Sequence, residues 1–182
     1  MLELRITLLA CVCIASSSFA DPMAREETKP KQIPKDYEIQ NYKISENVIQ
    51  KMNSKATKDS QIDYLISTLN GDSNKIDRCS AARLLGTMKP AQAIRPLVSS
   101  LTLRDEEHKA YPAAWALVNI GTNSVPEVIK AIDASNDAER TTLAVQVIVE
   151  IMGKRYSDYI KQNEKSFSPK VKDALLRFGV RD

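Results

Sequence analysis

The groups in this sequence with the most chemical capacity are one histidine, three cysteines and a short run of alternating oxygen-bearing side chains. His108 is the only histidine, so a zinc site built from several imidazoles is excluded and any Ser/His/Asp relay has to pass through it. It follows Asp105-Glu106-Glu107 in a polar stretch and reads as a solvated loop residue, not a general base. Asp133, Ser135, Asp137 and Glu139 imitate the oxygens that open a calcium loop. Ala138, however, stands where the turn needs glycine, and Ala144 where the bidentate glutamate belongs. Asp105 and Glu106 are adjacent on one loop, without the shelter of an acid/base pair. No GxGxxG, Walker loop, CxxC or HExxH occurs, and five glycines leave little material for phosphate cradles. No catalytic residue, metal ligand or cofactor is assigned, and the expectation is a protein that is not an enzyme.

The cysteines lead to the question of compartment. Arg5 precedes an apolar run from Ile6 to Ala15 and then Ser18-Phe19-Ala20, whose small residues suit a signal peptidase; residues 1–20 are expected to be a signal peptide cleaved after Ala20. The protein is then periplasmic or fully secreted. Leu8-Leu9-Ala10-Cys11 imitates a lipobox, but too few residues precede Cys11 for an ordinary lipoprotein signal. The apolar run is also well short of the ~20 residues that cross a bilayer. Cleavage removes Cys11 and Cys13 and leaves Cys79, so no internal disulfide is possible. Beside Ala81 and Ala82, Cys79 reads as a small buried hydrophobe. With a net charge of +3 and lysines and acids interspersed without a dense basic block, the chain implies neither nucleic acid nor anionic lipid as a partner.

Whatever these side chains do, helices must position them. Apolar residues recur at i, i+3, i+4, i+7 in Ile62/Leu65/Ile66/Leu69, Ile94/Leu97/Val98/Leu101 and Val125/Val128/Ile129/Ile132, about 31 residues apart, with a degraded copy from Tyr156 to Asn163. Each of these A helices precedes a B helix with its own apolar triple: Ala81/Leu85/Met88, Ala113/Leu117/Ile120, Ala144/Ile148/Ile151 and Val171/Leu175/Phe178. Gly71, Gly121, Gly153 and Gly179 follow the helices as C-caps, and Pro112 and Pro126 fit first turns. Gly86 alone falls inside a helix.

Arg78-Cys79-Ser80-Ala81-Ala82-Arg83-Leu84-Leu85-Gly86 followed by Ala93-Ile94-Arg95-Pro96-Leu97 resembles a HEAT-like repeat, and Ala113 to Gly121 followed by Val125-Pro126 repeats it. The short period is similar to the bacterial variety found in phycobilisome lyases. Over roughly residues 60–180 the resemblance implies an all-α fold, a short right-handed α-solenoid of about four helix pairs. It departs at Ala110, which holds the arginine position, and in a last unit that lacks the Ala-Ala pair. Residues 21–43, with three prolines and many charges, are expected to be a flexible polar leader, and residues 44–182 the solenoid domain. Ser45 is expected to cap a helix bearing Val48, Ile49 and Met52 that covers the first pair.

At about 100° per residue, the B-helix face opposite Leu85, Leu117, Ile148 and Leu175 carries Arg83, Trp115, Asn119, Leu143, Gln146 and Glu150. HEAT-like solenoids turn this face to their concave side, so these residues are expected to form an exposed wall that binds a protein or peptide, with the single tryptophan beside an arginine as its hot spot. The alternatives are a structural subunit of an envelope assembly joined through solenoid ends, with Tyr156 and Tyr159 as contacts, and a lyase-like protein that handles a chromophore. The sequence does not name the partner or the oligomeric state.

Overall fold

The structure, a computed structural model, describes residues 43–179; the expected signal peptide, and the leader apart from Lys43, lie outside the described residues. Among the described residues there are nine α-helices and no β-strand. The capping helix α1 (Glu46–Asn53) is followed by the A/B pairs α2 (Lys58–Asn70) and α3 (Lys75–Met88), α4 (Ile94–Ser99) and α5 (Pro112–Ile120), α6 (Val125–Ala134) and α7 (Ala138–Met152), and α8 (Tyr156–Asn163) and α9 (Pro169–Gly179). The expected pairing is present, in an all-α, HEAT-like solenoid. B helices stack as α3, α5, α7 and α9, A helices as α2, α4 and α6.

The periodic residues form one continuous core. Leu65, Leu69, Leu85, Leu97, Leu117, Val128, Ile132, Ile148 and Leu175 are all fully enclosed. Ala81, Ala113 and Ala144, the small first members of the B triples, are fully buried where neighbouring helices close on one another. Cys79 is buried among them, as its setting implies, and burial pushes its thiol pKa up.

Polar side chains fix where the helices begin. Thr57 and Ser60 form a reciprocal capping box on α2, with Thr57 Oγ1 accepting from the Ser60 N–H at 3.2 Å and Ser60 Oγ from the Thr57 N–H at 3.1 Å. Asn74 Oδ1 accepts the Asp77 N–H at 2.8 Å to start α3. Asp137, part of the apparent calcium run, caps α7 by accepting the N–H groups of Glu139 at 2.8 Å and Arg140 at 3.3 Å. Ser45 precedes α1, but its hydroxyl does not cap it. Its backbone N–H instead donates to Ser80 Oγ at 3.0 Å, tying the helix to α3.

Gly121 and Gly153 end α5 and α7 with φ of 82° and 51°, the left-handed region where glycine costs least. Gly71 ends α2 in extended backbone, φ −85°, so it is not a left-handed cap. Long cationic side chains then fasten helix ends: Arg78 Nε donates to Leu69 O at 2.9 Å, Arg140 Nη2 to Val98 O at 2.8 Å and Lys170 Nζ to Asp133 O at 2.9 Å. The last unit departs from the repeat. Helix α9 packs across both α6 and α7, and Ser168 Oγ donates to Asp133 Oδ1 at the end of α6.

Candidate functional site: the B-helix wall

The wall expected from the helical register is only partly open. Arg83 and Leu143 do not lie on an exposed surface: each is 2% exposed. Leu143, at the N-terminal end of α7, is enclosed in the hydrophobic core. Arg83 is covered by the α4–α5 connection, which is longer than a tight turn and folds back on α3. Asp105 and Ala110 exchange backbone hydrogen bonds at 2.8 and 3.1 Å, closing the loop, and Lys109 takes up a left-handed φ of 50° inside it. The closed loop brings Asp105 Oδ2 to 3.3 Å from Arg83 Nη2, with their side chains 8% and 2% exposed.

Asp105 is therefore the organising residue of a site the sequence reading missed. Its Oδ1 accepts the backbone N–H groups of Glu107 at 3.1 Å and His108 at 3.3 Å, while its Oδ2 faces both Arg83 and His108 Nδ1, each at 3.3 Å. His108 is not the freely solvated loop residue expected: its side chain is 32% exposed and held against a buried carboxylate. The signal was present in Arg83 itself, a cation in the middle of an apolar helix stretch, which a low-dielectric interior tolerates only with an acid beside it. Nothing in the spacing of Asp105 marked it as that acid.

The wall residues that do reach the surface come from α5 and α7. Trp115, Asn119 and Gln146 are half-buried and Glu150 is exposed. Trp115 packs against the hydrophobic core with its ring edge over α3, so that a methyl group at Gly86 would stand 2.9 Å from Trp115 Cζ3 and 2.6 Å from Ala116 Cα. The mid-helix glycine thus lets α3 and α5 touch and forms the seat of the indole. Trp115 is both a core residue and part of the wall.

At the other edge of α5, Tyr111 is 5% exposed and its hydroxyl donates to Glu139 Oε1 at 2.5 Å. Burial, then the bond to Glu139, pushes its pKa up to about 12. In the last unit Tyr156 is buried with its hydroxyl donating to Leu175 O at 2.9 Å, and Tyr159 lies 6.1 Å from the Phe167 ring. Tyr156 closes the terminal unit and is not positioned as an outward contact, while Tyr159 is half-buried beside Phe167. Among the described residues no group of three or more His, Cys, Asp or Glu is arranged to hold a metal ion, and no helix is long and apolar enough to cross a membrane.

Residues 62–149, which cover the first three helix pairs almost completely, match the family model for HEAT repeats. HEAT repeats commonly serve as protein-interaction scaffolds and typically lack catalysis of their own. No curated protein matches the chain closely enough to count as a relative.

Proposed function

We propose that this is an exported interaction module that holds a protein or peptide partner along the open part of the B-helix wall, at Trp115, Asn119, Gln146 and Glu150. The observation that carries the reading is Trp115, half-buried at the surface of α5 and seated on Gly86, with half-buried Gln146 and exposed Glu150 at the matching register of the next B helix, α7. A large aromatic fixed by packing loses little freedom on binding, and neighbouring amides and a carboxylate supply orientation. Export is supported by the sequence of residues 1–20. Burial of Arg83 and Leu143 moves the proposed footprint toward α5 and α7.

The test uses residues whose replacement leaves the core intact. Asn119→Arg with Glu150→Arg is compared with wild type in affinity capture from the native envelope or secreted fraction, with thermal melting as the folding control. A partner retained by wild type and lost by a double variant of unchanged melting temperature supports the wall. A partner retained by both removes the site from this face.

A further inference from the structure

The charge of the chain is unevenly distributed along the solenoid. Residues 43–152 carry thirteen basic and thirteen acidic side chains, whereas residues 153–182 carry eight basic against four acidic. The net positive charge of the described fold therefore sits in its last unit. Part of it is neutralised internally by two ion pairs, Lys172 with Glu164 and Arg177 with Asp173 at 2.9 Å, while Lys170 keeps its charge and donates to the neutral acceptors Asp133 O and Asn136 Oδ1.

Helix α8 and its flanking turns hold four further cations. Lys154, Arg155, Lys161 and Lys165 are all exposed, and among the described residues none lies within ion-pair distance, 4.0 Å, of a carboxylate. Lys154 and Arg155 lie in the 3-10 turn that leads into α8, Asp158 and Lys161 are i, i+3 neighbours on α8 itself, whose Tyr156 and Ile160 are buried, and Lys165 lies in the 3-10 turn that follows. The result is a basic ridge that follows α8 and the turns on either side of it, formed by Lys154, Arg155, Lys161 and Lys165 and interrupted by Asp158.

We infer that this ridge is a docking surface for an acidic protein segment, distinct from the B-helix wall. Its charge order, positive, negative, positive, positive, fits a partner that presents carboxylates to Lys154, Lys161 and Lys165 and a donor to Asp158. A uniformly anionic bilayer fits less well. Asp158 faces it from inside the ridge, and the large exposed hydrophobes of the described fold, Ile76 and Leu176, lie on other helices and cannot insert from α8. Among the described residues a nucleic acid finds no fully exposed ring here to stack on, since Tyr156 is buried and Tyr159 and Phe167 are half-buried beside one another.

The experiment is a fluorescence anisotropy titration of the whole protein at low salt, roughly 50 mM, where exposed charges are least screened. The probes are a labelled helical peptide with Glu at i, i+4 positions, its Gln analogue, and vesicles containing about 30% phosphatidylglycerol. Wild type is expected to bind the Glu peptide and neither of the others. Lys161→Glu with Lys165→Glu is expected to weaken that binding about tenfold, and the same charge change at the far end, Lys51→Glu with Lys58→Glu, by less than about twofold. Equal weakening by both pairs would reduce the effect to overall charge and overturn the proposal. So would failure to bind the Glu peptide, or preference for the vesicles.

Discussion

Replacing Gly86 by alanine sets two effects of opposite sign against each other. In an ordinary helix interior the change is stabilising by about 1 kcal/mol, because alanine loses less backbone freedom on folding. At Gly86 the added methyl would lie 2.6 Å from Ala116 Cα, 2.8 Å from Ala116 Cβ and 2.9 Å from Trp115 Cζ3. Ordinary carbon contacts are about 3.5–4.0 Å, so α3 and α5 have to separate by roughly 1 Å. The nearest obstacle is backbone, which no rotamer change relieves. Overpacking of this kind costs about 1–3 kcal/mol, and opening the α3–α5 seam adds to it by exposing the fully buried Ala82 and Ala113 rows. The expected balance is a net loss of about 1–2 kcal/mol, a fall of about 3–10 °C in Tm for a domain of this size. Thermal melting by circular dichroism measures it. The single tryptophan supplies an independent readout, since its emission should shift red as the indole is lifted from its seat. A Gly86→Ala variant that melts higher than wild type, with unchanged emission, would refute the reasoning.

Asp105→Ala removes the acid beside a buried arginine and two backbone acceptor contacts; a loss of about 3 kcal/mol is expected in urea unfolding, with Asp105→Asn milder because it keeps an acceptor for the Glu107 and His108 N–H groups. Tyr111 has a folded pKa raised from 10 to about 12, so its contribution is fully present below pH 10 and is lost as pH rises from about 10 through 12. Tm measured across that range should fall more steeply for wild type than for Tyr111→Phe, and parallel curves would count against the Tyr111–Glu139 bond. Cys79 is buried with a raised pKa, so peptide mapping should find it unlabelled by a maleimide in the native protein and labelled in urea.

The repeat architecture was legible because it is written in local spacing. Residues at i, i+3, i+4 and i+7 share a helix face whatever lies across from them, so Leu65, Leu97 and Val128 announced the core from the sequence, and the small residues Ala81, Ala113 and Ala144 announced where helices close up. The wall was legible only as a direction. Register placed Arg83 and Trp115 on the same side of their helices, but exposure depends on what the next segment does. The α4–α5 connection is polar, which is the composition of a solvated loop. Its polarity serves an internal purpose, since Asp105 turns the loop on itself through two N–H groups and then meets Arg83 under it. No periodicity encodes such a contact, because the partners lie in different units and one of them is not helical.

Gly86 carries a related lesson about how binding and stability are joined here. As a helix residue it looked anomalous; as the seat of Trp115 it is required by the close approach to Ala116. The indole thus fills part of the α3–α5 seam and also forms the most apolar part of the open wall, so truncating it removes core packing and the proposed hot spot together. Loss of binding in Trp115→Ala alone would therefore leave two causes standing. Asn119 and Glu150 lie on the same open stretch, and Glu150 is exposed. Exposed substitutions away from caps and buried partners usually change stability by less than about 0.5 kcal/mol. If the wall holds a partner, charge reversal at Glu150 should weaken it at constant Tm, whereas a wall that serves only to close the fold would leave every partner of the protein bound.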